Sequence, residues 1–391
     1  MTHITSAHSK SQRILFISPV PTHPTISGNR QRVRQLLNFF EHRGFDYKYL
    51  WFEQECGSEI EMISTWGDHF LKVPFDLTPG IVKKIYSKIC ILNSEAKSKH
   101  NSLDEYKNAV LAKAVIQEAE SFQPTHVIVM YVLWSWVLDL FPKTVVKIID
   151  TNDVLGDRHA QFIKVGITPE WWSLSRRDEA RGLDRANYII GIQENESEYF
   201  RKISKAKVLT IGYSVNIQVL PEPSGSDFTF LFIGSDNPSN INGIQWFLKK
   251  CWPKIIERNA STRLLIAGKV CNKVVKVYPG VELLGIVDKP ADAYKRCHVI
   301  VNPLQFGTGL KIKAIEAMSF GRPMISTRCG AEGLDDFTGA FLLADGAEEF
   351  VELCLHVIDD LEMRDNIAKA AVHCAEKMNT MNTINLNFIL S

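Results

Sequence analysis

Short apolar runs alternate along most of the chain with segments in which apolar residues recur at helical spacing. The runs are too short for buried helices and rich in β-branched and aromatic residues, which favours strands buried on both faces. The predicted strands are residues 13–18, 46–53, 126–131, 145–149, 188–192, 207–211, 228–233, 263–267, 281–284, 298–301 and 324–327. Strands that alternate with helices predict an α/β fold with parallel sheets.

The strand, loop and helix at the start of the chain have a counterpart after residue 228. Between them, residues 213–227 show no periodicity and contain proline, glycine and serine, which is typical of a linker. A chain of 391 residues also exceeds what one hydrophobic core usually serves. The sequence therefore predicts two Rossmann-like, doubly wound domains that face each other across a cleft, at residues 1–212 and 228–391.

Residues 298–327 contain the most informative pattern in the chain. An apolar strand is followed by a loop with Gly307 and Gly309, and helical spacing starts at Leu310. Gly321 and Pro323 predict the end of this helix before the next strand. The helix should therefore begin at the carboxyl edge of a parallel sheet, where ligands bind in such folds.

The start of this predicted helix is suited to a phosphate. Backbone N–H groups at residues 308–310 have no partner within the helix, and the helix dipole and the ammonium groups of Lys311 and Lys313 attract an anion. Glu316 lies three residues after Lys313 on the same helical face, at the right depth for a sugar hydroxyl. The alternative is an ordinary surface pair of Lys313 and Glu316 beside a packing glycine.

Composition and charge exclude several other classes. A formal charge of +1 argues against a general nucleic-acid binder, and no dinucleotide fingerprint or phosphate-loop motif follows the first strand. No Asp-x-Asp motif occurs, and the eight cysteines show neither Cys-x-x-Cys pairs nor zinc-ligand spacing. The polar N-terminus lacks the apolar core of a signal peptide, so we expect a cytoplasmic protein with reduced thiols and no metal site.

Residues 303–334 closely resemble the nucleotide-sugar-binding segment of GT-B glycosyltransferases, in particular family 4. The resemblance covers a Pro-x-x-x-Gly-x-Gly loop, a Lys-x-x-Glu-Ala helix, a Gly-x-Pro-x-x-x-Thr strand and a Gly-x-Glu-Gly-Leu close. In this sequence the motif residues are Pro303, Gly307, Gly309, Lys313, Glu316, Ala317, Gly321, Pro323, Thr327, Gly330, Glu332, Gly333 and Leu334.

The resemblance implies a retaining, metal-independent transferase that uses a nucleotide-diphosphate sugar and needs no cofactor. It implies that Lys311, Lys313 and Glu316 are the catalytic residues. The lysines would compensate the charge of the departing phosphate, and Glu316 would bind ribose hydroxyls. The donor-binding residues it implies are Gly28, Asn29, Gly234, Ser235, Lys269, Ile286, Gly307, Thr308, Gly309, Leu310, Lys311, Lys313 and Glu316.

Three positions depart from the family pattern. Relatives carry an arginine and a lysine that clamp the donor pyrophosphate, and the matching positions here are Ser235 and Asn242. A glutamate that contacts the donor sugar in relatives is replaced by Thr308. The phosphates should consequently depend on Lys311, Lys313 and backbone amides, with help from Arg30 in the first domain.

The acceptor side is less clearly marked. Family members often place a histidine at the end of the strand equivalent to residues 126–131, whereas this chain has Tyr131 there. Asp153, Arg158 and His159 follow the next strand and are further candidates, although Asp153 equally fits as the cap of a helix that begins near Val154.

Residues 81–92 form a basic amphipathic pattern, with isoleucines and a valine on one side and lysines on the other. Such a helix either faces the core or lies on an anionic membrane, so peripheral contact with the inner face of the membrane is one hypothesis.

The predicted partners are a nucleotide sugar and a glycan or lipid-linked acceptor, as in surface polysaccharide assembly. Two alternatives stay open, a GT-B nucleotide-sugar epimerase and a catalytically idle nucleotide-sugar-binding protein.

Overall fold

The structure is a computed structural model that describes residues 12–25, 27–75, 100–164, 172–225, 227–287, 289–307, 311–337 and 339–391. The chain divides into two compact units. The first comprises the described residues up to Ile211 together with Asn385–Ser391, and the second comprises Gly212–Ile384.

The first unit is built on a parallel seven-stranded sheet of order β3-β2-β1-β4-β5-β6-β7. Its strands are β1 (Arg13–Ser18), β2 (Asp46–Phe52), β3 (Phe70–Val73), β4 (His126–Met130), β5 (Val146–Asp150), β6 (Tyr188–Gly191) and β7 (Lys207–Thr210). Its helices are α1 (Gly28–His42), α2 (Glu59–Trp66), α3 (Ala109–Phe122), α4 (Arg158–Lys164), α5 (Arg176–Leu183) and α6 (Glu194–Ile203), with 3-10 helices at Gly67–His69 and Val132–Leu140.

The second unit contains a parallel six-stranded sheet of order β10-β9-β8-β11-β12-β13. Its strands are β8 (Thr229–Ile233), β9 (Arg263–Ala267), β10 (Val281–Gly285), β11 (Val299–Asn302), β12 (Met324–Thr327) and β13 (Leu342–Ala344). Its helices are α7 (Pro238–Lys250), α8 (Trp252–Arg258), α9 (Pro290–Tyr294), α10 (Ile312–Ser319), α11 (Ala347–Asp359) and α12 (Leu361–Leu390), with a 3-10 helix at Lys269–Lys273. The last residues of α12 belong to the first unit.

Both faces of the second sheet are covered, as the continuous apolar runs predict. In β8, Phe230 and Phe232 belong to one buried cluster, and Leu231 between them belongs to another. Successive side chains of a strand point to opposite faces, so the two clusters are the cores on the two sides of the sheet. The prediction of an α/β chain with two Rossmann-like domains is confirmed.

Several elements differ from the predictions. The helix expected from Leu310 begins at Ile312, and its predicted end at Gly321 is confirmed by the positive φ of that glycine. The helix expected near Val154 begins only at Arg158. Strand β3 and helix α2 lie in a stretch whose pattern gave no assignment.

Candidate functional site

The second unit places the predicted anion-binding segment at the carboxyl end of its sheet. Strand β11 leads into the loop that carries Gly307, and α10 follows after Lys311, which is the N-cap residue of that helix. Three predicted donor-binding residues, Thr308, Gly309 and Leu310, lie outside the described residues. The strand, loop, helix and strand order predicted for this segment is confirmed.

Lys313 lies in the first turn of α10 and points into the protein. Its Nζ donates a hydrogen bond of 2.6 Å to Asn240 Oδ1 and lies 4.5 Å from the centroid of the Phe232 ring. Burial and, to a smaller extent, the neighbouring ammonium of Lys311 lower the pKa of Lys313 to about 7, although the charge of Glu316 acts to raise it. Near neutral pH this lysine can therefore gain or lose its charge when an anion approaches.

Glu316 lies one turn further along α10, next to Tyr294. The Tyr294 hydroxyl donates to Glu316 Oε2 at 3.3 Å and is also 3.2 Å from the Lys313 carbonyl oxygen. Burial raises the pKa of Glu316 to about 7, although the Tyr294 hydrogen bond and Lys313 both act to lower it. A half-buried carboxylate with few donors around it is suited to accept hydrogen bonds from ligand hydroxyls.

Glycines allow the neighbouring loops to approach one another. Gly268 has a φ of +95°, and a Cβ added to it would lie only 2.2 Å from the Gly234 carbonyl oxygen. The Gly268 N–H donates to the Gly285 carbonyl oxygen at 2.6 Å, and the Gly234 oxygen accepts from Val270 at 3.3 Å. The loops after β8, β9 and β10 are thus joined by backbone hydrogen bonds, and at Gly268 the Gly234 carbonyl leaves no space for a side chain.

The remaining donor-side predictions are distributed around these loops. Gly307 has a φ of +132°, and a Cβ there would lie 3.4 Å from Ser239 Oγ and 3.9 Å from Lys311 Nζ. Lys311 itself is buried, with 8% of its surface exposed. Lys269 opens the 3-10 helix after β9, and Ile286, after β10, is 68% exposed.

The two positions that carry cations in relatives hold neutral side chains with different surroundings. Ser235 accepts hydrogen bonds from Asn240 Nδ2 at its backbone oxygen, at 3.1 Å, and at its Oγ, at 3.2 Å. Asn242 is exposed on α7. The side chain that contacts Lys313 here is therefore that of Asn240, in the first turn of α7.

A second polar cluster lies in the first unit, around Tyr131. This residue follows β4, is buried, and adopts a φ of +66°, which is uncommon for a non-glycine residue. Its hydroxyl accepts a hydrogen bond of 2.7 Å from Asn152 Nδ2 and is also hydrogen-bonded to the Asn29 side chain. Asn29 belongs to the first turn of α1, which begins at Gly28, so the structure brings these donor-side and acceptor-side candidates of the first unit together.

The other acceptor-side candidates lie after β5. Arg158 Nη1 is 3.4 Å from Asp153 Oδ2. The negative charge of Asp153 acts to raise the pKa of the Tyr131 hydroxyl, and the positive charge of Arg158 acts to lower it. Asp153 therefore pairs with Arg158, and its predicted role as the cap of a helix near Val154 is wrong. His159 Nδ1 lies 2.8 Å from Ser173 Oγ, and its ring packs edge-on against His100.

Two charged residues of the first unit are held in ion pairs. Arg30, expected to assist at the phosphate, donates to Glu55 and to the Pro24 and Cys56 carbonyl oxygens. Asp150 ends β5 and is fully buried in a pair with Arg32. Both pairs join residues that are distant in sequence, so no local pattern could reveal them.

The structure also adds residues that the sequence patterns did not indicate. Asn240 contacts Lys313, and Tyr294 contacts Glu316. For Asn240, the local signal in the sequence was the Asn-Pro-Ser-Asn segment at residues 237–240, in which the Asn237 side chain caps α7.

Membrane contact was predicted for residues 81–92, which lie outside the described residues. In the described part of the chain, no helix combines the length and hydropathy that crossing a bilayer requires.

Residues 227–360 match the family described as Glycosyl transferases group 1. An uncharacterized 44.6 kDa protein in the cps region of Klebsiella pneumoniae is 30% identical over 142 residues. That match covers 33% of this chain and 36% of the Klebsiella protein, so the chain matches little more than a third of that relative's length.

Solved structures resemble the chain over nearly its whole length. HepE of Anabaena in complex with UDP and glucose has a TM-score of 0.65 at 14% identity, and covers 97% of this chain and 100% of its own. TarM gives 0.70 at 12% identity, with 97% and 99% covered. The lipopolysaccharide outer core galactosyltransferase WaaB gives 0.59 at 16% identity, with 96% and 100% covered. At these identities the likeness concerns the fold, and it confirms the GT-B assignment.

Proposed function

We propose that the chain is a glycosyltransferase that moves a sugar from a nucleotide-diphosphate sugar to a glycan or lipid-linked acceptor; the match of residues 227–360 to Glycosyl transferases group 1 and the GT-B fold support this proposal. We assign the donor to the second unit and the acceptor to the first. The observation that carries this proposal is the placement of Lys313 and Glu316 on one face of α10, at the carboxyl end of the second sheet.

The chemistry of this placement fits a nucleoside diphosphate. A phosphate near the start of α10 gains from the helix N–H groups and from Lys311 and Lys313. The charge of the lysines offsets the negative charge that develops on the departing diphosphate, which stabilises the transition state. Glu316, one turn deeper, would accept hydrogen bonds from ribose hydroxyls.

We further propose that the reaction is retaining and needs no divalent metal. The departing phosphate oxygen can take the proton of the acceptor hydroxyl on the same face of the sugar, so a separate general base is not required. On the acceptor side we place Tyr131, Asp153, Arg158 and His159, with Asn152 and Asn29 orienting the Tyr131 hydroxyl.

UDP is the first donor nucleotide to test. HepE was solved with UDP-glucose, and TarM with UDP. The relative in the cps region of Klebsiella and the lipopolysaccharide enzyme WaaB support a role in surface polysaccharide assembly.

The first test is a thermal shift with UDP, GDP, dTDP and CMP. We expect at least one nucleoside diphosphate to raise the melting temperature, since a ligand at 100 times its dissociation constant stabilises the folded state by about 2.7 kcal/mol. Glu316→Ala should lose this response without unfolding. Glu282→Ala is the matched control, because Glu282 is an exposed carboxylate on β10 that pairs with Arg296.

Turnover then separates the alternatives. Release of the nucleotide from the sugar nucleotide only when a cell extract supplies acceptor supports transfer. Conversion without acceptor supports an epimerase, and binding without either reaction supports an idle binding protein. If no nucleotide shifts the melting temperature, or if Glu316→Ala lowers the melting temperature sharply while nucleotide affinity is unchanged, the proposed site is wrong.

A further inference from the structure

The side chain of Asn240 has a defined orientation in the second unit. Its Nδ2 donates to the Ser235 backbone oxygen, which can only accept, so Oδ1 must face the other way. There it accepts the 2.6 Å hydrogen bond from Lys313 Nζ. Asn240 therefore connects the loop after β8, through Ser235, to the first turn of α10, through Lys313.

The loop is built to hold this side chain in place. A Cβ at Gly234 would lie 2.8 Å from Asn240 Cγ, so glycine is required for Asn240 to pack there. The Asn240 N–H donates to the Asn237 side chain at 2.8 Å, which fixes the first turn of α7. Asn240 is only 5% exposed, and a shift of its amide would cost these hydrogen bonds.

We propose that Asn240 is a positioning residue for the diphosphate of the donor, which holds the Lys313 ammonium at the carboxyl end of the sheet through an uncharged oxygen. This inference rests on the proposed function. A carboxylate at this position would neutralise the ammonium of Lys313, whereas an amide oxygen orients the ammonium without adding a negative charge.

Two substitutions of Asn240 should change the protonation of Lys313 in opposite directions. In Asn240→Ala the ammonium loses its acceptor in a desolvated setting, so Lys313 should hold its proton less well and UDP affinity should fall more at pH 8 than at pH 6. In Asn240→Asp a carboxylate keeps Lys313 protonated but pairs with it. Affinity should then fall at every pH, with little dependence on pH between 6 and 9.

The experiment is calorimetric titration of UDP, and of GDP in parallel, at pH 6, 7, 8 and 9 into the full chain. Hydrogen bonds to charged groups contribute about 1.5–3 kcal/mol, so we expect losses of about tenfold or more for Asn240→Ala at pH 8 and for Asn240→Asp throughout. Gln245→Ala, an exposed change on the same helix, should bind as the unmodified protein does. Thermal melts of each variant monitor folding.

The outcomes are distinguishable. If the unmodified protein binds neither nucleotide, the proposed function fails and this inference fails with it. If it binds, but Asn240→Ala matches the unmodified protein or loses affinity by the same factor at every pH, Asn240 is merely structural and only this inference is overturned.

Discussion

Replacing Lys313 by methionine is expected to weaken UDP binding by about 100-fold and to remove a rise in folding stability between pH 7 and pH 9. Methionine fills a similar volume beside Phe232, so the core should remain packed. The phosphate would lose a desolvated cation, and removing one partner of such a contact costs about 2–5 kcal/mol. We therefore expect UDP affinity to fall by about 100-fold, measured by calorimetry at pH 7.

The effect on stability follows from the pKa of Lys313, which burial lowers to about 7 in the folded protein. Between pH 7 and the ordinary lysine pKa, the unfolded chain binds more protons than the folded protein, so stability rises with pH in this window. The largest slope is about 1.4 kcal/mol per pH unit, and the partial exposure of the side chain should reduce it to about half. The variant lacks this slope, so its stability relative to the unmodified protein should decline from pH 7 to pH 9.

Glu316→Gln tests the second shifted pKa of the site, which should change folding stability with pH in the opposite direction. Burial raises the pKa of Glu316 to about 7, so the folded protein binds more protons than the unfolded chain between the ordinary carboxyl pKa and 7. Stability should fall with pH in that lower window, and the glutamine variant should lack this fall. If denaturant melts of both variants parallel the unmodified protein from pH 5 to pH 9, the two groups do not have the shifted pKa values that the site requires.

The fold could be predicted from the sequence because its signals are local. The run from Val299 to Asn302, the glycines of the following loop, and Gly321 at the end of α10 each act on neighbouring residues. The spacing of Lys313 and Glu316 likewise placed both on one helical face, and the structure confirms that placement.

The contacts that complete the site were beyond local patterns. Asn240 lies 73 residues before Lys313, and parallel strands bring the two together only because their carboxyl ends share one edge of the sheet. Ion pairs between residues that are distant in sequence pose the same difficulty. Nothing near Arg30 in the sequence shows that Glu55, 25 residues later, will take up its guanidinium.

Asp150 is the clearest case, and Asp150→Ala is expected to destabilise the first unit strongly. Asp150 Oδ2 lies 3.0 Å from Arg32 Nε, and both side chains are almost completely buried. Removing one partner of a buried pair leaves an uncompensated charge and costs about 3–5 kcal/mol. For a unit of this size we expect the melting temperature to fall by about 10 °C.

The double variant Arg32→Met with Asp150→Ala should recover much of this loss, because neither buried charge remains. Glu282→Ala should cost less than about 1 kcal/mol, since its pair with Arg296 is exposed. The Asp150 carbonyl oxygen accepts the Tyr131 N–H at 2.8 Å, so the buried pair also supports the turn that presents the Tyr131 hydroxyl. If Asp150→Ala melts within a degree or two of Glu282→Ala, the buried pair neither stabilises the first unit nor anchors this turn.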